Sequence, residues 1–439
     1  MILQSIKYHI ENEWNVDFSY VINVSHESVD NDSIFVRFIQ KRRKLIRNRN
    51  VLQTTYIPEE LPHRKEQIDK IVGIIAVALN GEKPSNIMIY GKTGTGKTAV
   101  LNYIGKELKK ADPDNKKCYY IYVNCEVTDT AYGVIYSIVD RFTPGKKEKI
   151  PFTGWSLEKL YSELLVEIER RECTFVIILD EIDNIVLRRG DILIYYLARI
   201  NEHLKNSRVS LIGVSNNLKL LELLKPKTKS SLGGESMVFH PYSRKQLEDI
   251  LNERAKGVFE ENVLENSVIP LCAAYASRND GDARVAIDLL RISADIAERN
   301  GDSSISEAHV KSAKNSMEMD IINEAVKSLT IQSKIVLRSI IKNHEDGMEV
   351  MITGDVYSSY EEISTILGIT PLSQRRITDL ISELDAMGLI NASIKSFGRA
   401  GRTKEIKLET PKDIIDKFKK DPFFNSLNDY KTSIQAKLI

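Results

Sequence analysis

Apolar positions along this chain change their spacing twice. In the first half, short unbroken apolar runs alternate with stretches of helical period. NIMIY (86–90) is a run of the length and composition that a fully buried strand gives. The following AVLNYIGKELKKA places Val100, Leu101, Ile104 and Leu108 on one helical face. KCYYIYVNC (117–125), FVIILDEID (175–183) and RVSLIGVSNN (208–217) supply three more strand candidates. Between two of them, SLEKLYSELLVEIERR (156–171) predicts an amphipathic helix with Leu157, Leu160, Leu164 and Ile168 on the buried face. Strands alternating with helices predict an α/β core, a parallel sheet with helices on both faces. After Pro241 the strand runs stop. Residues 244–316 read as successive helices, including QLEDILNERA and ARVAIDLLRISADIAERN. Residues 331–390 read as three short helices, and INASIKSFGRAGRTKEIKL (390–408) as two strands around a Gly-rich, basic turn. A helix and a loose tail follow. The first 35 residues carry little periodicity, and no repeat shows at solenoid spacing.

At 439 residues the chain has room for about three domains. Its 42% apolar and 28% charged residues exclude wholesale disorder. No run approaches the ~18 apolar residues of a membrane helix, so no membrane span is expected. MILQSIKYHIENEW breaks its apolar residues with charges, so it has no signal-peptide core and a cytoplasmic chain is expected. Cys118, Cys125, Cys173 and Cys272 stand far apart and form no C-x-x-C pair, which fits a reducing interior. The seven histidines show no zinc spacing. With 62 basic against 61 acidic residues, any nucleic-acid site has to be a local patch. One candidate is RFIQKRRKLIRNR (37–49), with seven basic residues and no acid, which reads as a solvated arm or as a nucleic-acid contact.

Candidate chemistry begins directly after the first strand. Gly91-Lys92-Thr93-Gly94-Thr95-Gly96-Lys97-Thr98 fits G-x-x-x-x-G-K-S/T, with a strand before it and a helix after it. The glycines let backbone N–H groups close around phosphate oxygens, and the helix N-terminus favours an anion. Lys97 is expected to reach the β- and γ-phosphates and Thr98 to ligate Mg²⁺. FVIILDEID runs an apolar strand into two acids. Asp180 is expected in the Mg²⁺ shell and Glu181 as the group that polarises an attacking water. GVSNN closes the fourth strand with Asn216 and Asn217, and an amide there can orient that water or touch the γ-phosphate, although Asn is also an ordinary turn former. Arg284, in Gly281-Asp282-Ala283-Arg284, starts a helix, and locally it is only a surface arginine.

EEISTILGITPLSQRRITDLISELDAMG (361–388) reads as helix, short turn, helix. Ile377, Leu380, Ile381 and Leu384 bury one face, with Ser373 a fair N-cap. Gln374, Arg375, Thr378 and Ser382 lie largely off that face, where a recognition helix presents polar residues to a major groove. The hairpin after it carries Lys395, Arg399, Arg402, Lys404 and Lys407 against one acid, Glu405. Residues 330–439 hold sixteen basic and fifteen acidic residues, so a protein-docking winged helix stays open beside a DNA-binding one. The concentration of charge on the wing and on Arg375 and Arg376 favours DNA.

Taken in order, these motifs resemble an AAA+ ATPase, and within that class the archaeal replication initiators of the origin-recognition and cell-division-cycle type. The resemblance spans 51–410 and rests on VLQTTYIPEELPHRKEQI, GKTGTGKT, PFTGWS, LDEID, GVSNN, KSSLGGESMVFHPYS, GDAR, SQRRITDLISELDAMGLI and GRTKEIKL. It implies an α/β AAA+ core (51–240), an α-helical lid (241–325) and a C-terminal winged-helix domain (326–412), with an N-terminal extension (1–50) and a tail (413–439). It further implies bound ATP or ADP with Mg²⁺ and slow ATP hydrolysis. Asn216 would be sensor 1 and Arg284 sensor 2, with Pro62, His63 and Arg64 near the adenine. DNA contacts would come from Phe152, Thr153 and Trp155 of a helical insertion, and from the winged helix. Lys227 stands where the family usually has an arginine that acts on a neighbour's nucleotide, and Lys lacks the bidentate fork. Implied partners are origin duplex DNA, the replicative minichromosome-maintenance helicase and paralogous initiators. A nucleotide-gated regulator that does not act at origins, and a clamp-loader-like ATPase, are the alternatives. The winged helix and PFTGWS count against the second.

Overall fold

The computed structural model describes residues 45–142, 154–260, 262–396 and 402–427. They form two compact units that divide between His309 and Val310.

The first unit is built on a five-stranded parallel sheet in the order β2-β3-β4-β1-β5. The strands are β1 (Ile87–Tyr90), β2 (Cys118–Asn124), β3 (Thr174–Asp180), β4 (Arg208–Ser215) and β5 (Glu235–Val238). Every residue of β1 and β3 is buried, because helices cover both faces. One face packs against helices Ala131–Asp140, Leu157–Glu169, Ile182–Arg189 and Ile192–Ala198, the other against Lys65–Ile75 and Lys97–Ala111. Four strands lie where the apolar runs predict them. The fifth was not predicted: on this edge strand only Met237 is buried, so no apolar run marks it. Helix Leu157–Glu169 buries Leu160, Leu164 and Ile168 as expected. Leu157 itself stays half-buried beside the N-cap, where the Ser156 side chain accepts the Lys159 N–H at 3.2 Å.

Helices Arg244–Lys256, Val268–Arg278 and Ala283–Asn300 form the lid. Residues 37–44 of the basic run lie outside the described residues; its end docks on the lid through Leu45 and Ile46, while Arg47, Asn48 and Arg49 stay exposed. Leu45 and Ile46 are buried, and both donate their N–H groups to Glu298 Oε1, at 2.8 and 3.0 Å. Arg49 pairs with Glu298 and Asp295, and Arg47 with Glu260 at 3.4 Å. The buried Glu298 carboxylate is thus satisfied by two amides and a guanidinium, which offsets its desolvation.

The second unit packs helices Ile331–Glu345, Thr353–Ile366 and Gln374–Ala386 against an antiparallel sheet ordered β6-β8-β7. The hairpin β7 (Ile390–Ser396) and β8 (Arg402–Leu408) is in register from Ile390↔Leu408 to Ser396↔Arg402. The third strand, β6 (Met351–Ile352), is too short to leave a periodic signal. Helix Lys412–Lys419 and the 3-10 turn Pro422–Leu427 put Ile414, Phe418, Phe424 and Leu427 into the same core. The boundary expected at 412 therefore falls inside a packed unit. Ser373 has the backbone of an N-cap, but its side chain makes no capping bond.

Candidate functional site

The phosphate-type loop joins β1 to helix Lys97–Ala111. Gly94 and Gly96 have φ of 68° and 84°, and each is closely approached by the lid side of the unit. A Cβ on Gly94 would lie 1.7 Å from Asp282 Oδ1, and one on Gly96 2.6 Å from the Tyr242 hydroxyl. Asp282 caps the helix that begins Ala283-Arg284, and Ala283 N–H donates to Gly94 O at 3.2 Å. Lid and loop are therefore in direct contact.

Lys97 is 7% exposed. Its Nζ donates to Gly91 O (2.7 Å), Lys92 O (2.7 Å) and Asn216 Oδ1 (2.9 Å). Among the described residues no carboxylate lies within ion-pair distance of it, and burial lowers its pKa. A buried ammonium held only by neutral acceptors keeps its charge available to an anion. Beside it, Thr98 Oγ1 and the Tyr122 hydroxyl donate to Asp180 Oδ2 at 2.6 and 2.7 Å, and Asp180 is 2% exposed. A hydroxyl and a carboxylate at the strand end suit a hard divalent cation. Glu181 follows at φ 56°, and its pKa is raised by burial and by the nearby Glu126 carboxylate. Asn216 N–H donates to Asp183 Oδ1 at 3.3 Å. Arg284, exposed in the first lid-helix turn, lines the same cavity as Gly94, Thr95, Gly96, Lys97 and Thr98. That cavity encloses about 910 Å³.

Other predicted residues stand apart. Lys92 turns outward to Asp280 at 2.7 Å, and Thr93 is exposed. His63 pairs with Asp249 at 2.8 Å. Arg64, 5% exposed, donates to Thr95 O (3.0 Å) and His240 O (2.8 Å) and lies 3.9 Å from the Tyr242 ring centroid. It braces the phosphate loop from behind; neither it nor His63 lines the cavity. The same cavity is also lined by Val51, Thr54, Thr55, Tyr56, Ile57 and Pro62 with Ile250, Arg254 and Ile287. Sequence reasoning gave no role to Tyr56, Tyr122, Glu126, Tyr242 and Arg254: most stand inside quoted runs, but their partners lie far along the chain. Lys227 is exposed in the first turn of helix Pro226–Leu232.

In the second unit, Gln374, Arg375 and Arg376 are exposed on the first turn of helix Gln374–Ala386. Arg376 is drawn along its helix towards Asp379 (3.6 Å) and Glu383 (3.8 Å). Arg375 has no ion-pair partner among the described residues. Thr378 Oγ1 donates to Gln374 O at 3.0 Å, and Lys404 of β8 donates to Ser382 Oγ, so the wing strand leans on the helix. Lys395 pairs with Glu405 at 2.6 Å. Arg402 begins β8, whereas Arg399, Phe152 and Thr153 lie outside the described residues. Trp155 packs partly on the core, with Lys159 Nζ 4.2 Å from its ring centroid. No described helix is long and apolar enough to cross a membrane.

Family models match in the same order as the folded parts. An AAA domain matches residues 80–221, the Cdc6 AAA+ ATPase-type lid domain 248–315, and the CDC6 C-terminal winged-helix domain 324–418. An ORC1-type DNA replication protein of Pyrococcus abyssi is 47% identical over 397 residues, covering 90% of this chain and 94% of the relative. The ORC1-type DNA replication protein 1 of Methanosarcina acetivorans is 43% identical over 415 residues, 93% and 98% of the two chains. The solved Aeropyrum pernix ORC1 protein, in complex with DNA, superposes with a TM-score of 0.75 at 40% identity, covering 87% of this chain and 98% of its own. With an AAA+ ATPase core, a Cdc6-type lid and a winged helix along one chain, this protein belongs to the archaeal ORC1-type DNA replication proteins.

Proposed function

We propose that this chain is an ATP-dependent, DNA-binding replication initiator that recognises origin duplex and helps to recruit the replicative helicase, with nucleotide as a conformational switch. The observation that carries the nucleotide half is the buried ammonium of Lys97 at the mouth of the sheet, hydrogen-bonded only to neutral acceptors. A triphosphate there takes over the Nζ hydrogen bonds now made to Gly91 O, Lys92 O and Asn216. Asn216 is freed to orient water, and Arg284 supplies charge from the lid. Thr98 and Asp180 would hold Mg²⁺, which neutralises charge on the phosphate oxygens. Glu181 accepts a proton from the attacking water. Because Arg284 and the Gly94–Ala283 contact belong to the lid helix, occupancy at the phosphate end sets the lid angle. That angle governs how the insertion near Trp155 and the winged helix grip duplex DNA together.

The DNA half is supported by the relative solved with DNA and by the exposed Gln374–Arg376 turn beside the wing. Fluorescence anisotropy with origin-like duplex, with ATP, with ADP and without nucleotide, tests the whole reading. Nucleotide-dependent affinity or footprint is expected, and identical binding in all three states overturns the switch. Lys227, a point charge at the expected trans-acting position, favours a second reading in which hydrolysis matters little and the chain is a regulator away from origins. Genome-wide occupancy separates them: a few sites beside unwinding regions for an initiator, many promoters for a regulator.

A further inference from the structure

The part of the cavity lining that runs from Val51 to Pro62 has almost no regular structure of its own. It begins within the 3-10 turn Arg49–Leu52, and its internal backbone bonds are few: Gln53 N–H to Asn50 O and Tyr56 N–H to Gln53 O, both 3.1 Å. Leu52 anchors the turn in the core, and a further constraint comes from one side chain of the lid. Arg254, in the last turns of helix Arg244–Lys256, donates Nη1 to Val51 O at 2.5 Å and to Gln53 O at 3.3 Å. Its Nη2 donates to Tyr56 O at 3.0 Å, and its guanidinium carbon lies 5.2 Å from the Tyr56 ring centroid. One planar fork thus gathers three carbonyls over six residues. No carboxylate lies within ion-pair distance among the described residues, and burial lowers the Arg254 pKa. The charge is invested entirely in the shape of this loop.

That shape faces a ligand. Val51, Tyr56, Ile57, Ile250 and Ile287 give the cavity an apolar and aromatic stretch beside the polar Glu59, Glu60 and Glu253, and the phosphate loop with Lys97 lines the same cavity. A nucleotide whose phosphates sit at Lys97 puts its flat base here, because a base offers apolar faces and a polar edge. We propose that Arg254 is the positioning residue for the base: it never takes part in phosphate chemistry, but it holds the 51–56 wall in the form that receives the ring. Since Arg254 belongs to the lid, opening the lid withdraws the wall, so base affinity and lid closure are linked. Lysine cannot substitute, having one donor point where three carbonyls in different directions must be met. The inference rests on the nucleotide reading of the cavity, and the test separates the two.

The test uses the full chain and two probes in calorimetry. ATP carries phosphates and base; inorganic tripolyphosphate carries phosphates alone. Arg254→Ala and Arg254→Lys are each expected to weaken ATP tenfold or more, to leave tripolyphosphate within twofold of wild type, and to raise KM for ATP more than they change kcat. Discrimination between ATP and GTP should narrow in both variants. Equal losses for the two probes would mean that Arg254 merely holds the lid together, and unchanged ATP binding would equally overturn the proposal. Should Arg254→Ala fail to fold, Arg254→Lys decides by the same pair of ligands. A wild-type chain that binds tripolyphosphate no more weakly than ATP overturns the base assignment. One that binds neither overturns the nucleotide reading and this inference with it.

Discussion

The mouth of the sheet and the outer face of the winged helix hold their polar groups in opposite ways. At the mouth, Lys97, Asp180 and Thr95 are buried, and each polar atom is met by a named partner at hydrogen-bond distance. On the winged helix, Gln374, Arg375 and Arg376 stand in solvent, and the partners that do exist are neighbours on the same surface. A buried group without water depends on specific partners, so one substitution there changes chemistry. An exposed cation competes with salt and water, so its contribution to a ligand is small, additive and dependent on ionic strength. The first region is therefore expected to behave as a switch and the second as a graded grip.

The largest expected effect breaks the mouth. Glu181→Gln should lower ATP turnover by about two to four orders of magnitude while ATP still binds, because only the proton acceptor is lost. The same residue gives a signed pH dependence. Its pKa is raised in the fold, so turnover should fall as pH drops through a value above the usual carboxylate range. Glu126→Gln removes the neighbouring carboxyl and should move that limb to lower pH in a turnover–pH profile. Stability runs the other way: a raised carboxyl pKa contributes stability below the unfolded value, and that contribution is lost as pH rises through the folded one. Thermal unfolding of Glu181→Gln should therefore show a higher Tm than wild type at pH 7 and no gain at pH 4.

Next in size, Lys97→Ala should weaken ATP by about two orders of magnitude, since it removes a buried charge-assisted donor. A loss of only twofold in calorimetry would mean that the ammonium serves the loop alone. Smaller again, Arg375→Ala should lower the slope of log affinity for duplex against log salt by about one unit, with a uniform loss across sequences. Arg376→Ala should do less, because Asp379 and Glu383 already draw its guanidinium along the helix. Equal slopes for the two variants would remove the distinction. The smallest expected change is in Lys404→Ala, which loses the strut from β8 to Ser382 and should weaken duplex binding by a few-fold.

Much of this was written locally. The GKTGTGKT run gives phosphate-loop geometry because two glycines take φ of 68° and 84° and a helix must start at Lys97. Unbroken apolar runs marked β1 to β4 because buried parallel strands admit little else. β5 was invisible, since an edge strand with one buried residue needs no such run. The same limit hid the end of the winged helix. Ile414 and Phe418 carry helical spacing, but only packing with Phe424 and Leu427 shows that they belong to its core. Arg64 stands in the predicted segment, but its environment is set by His240 and Tyr242, far along the chain.

The sequence by itself determined the four buried strands of the core and the helices between them, the phosphate loop, the two strand-end acids and the apolar face of the helix that carries Gln374 and Arg375. These depend on residue type and short-range spacing, which a linear string contains. Only the tertiary structure decided which cations stay free. Arg49 is spent on Glu298, Lys92 on Asp280 and Arg254 on three carbonyls of a distant loop, whereas Lys97 is left with neutral acceptors. The physical reason is that a charge acquires its role from the partners and the burial it meets on folding, and those come from residues remote in sequence.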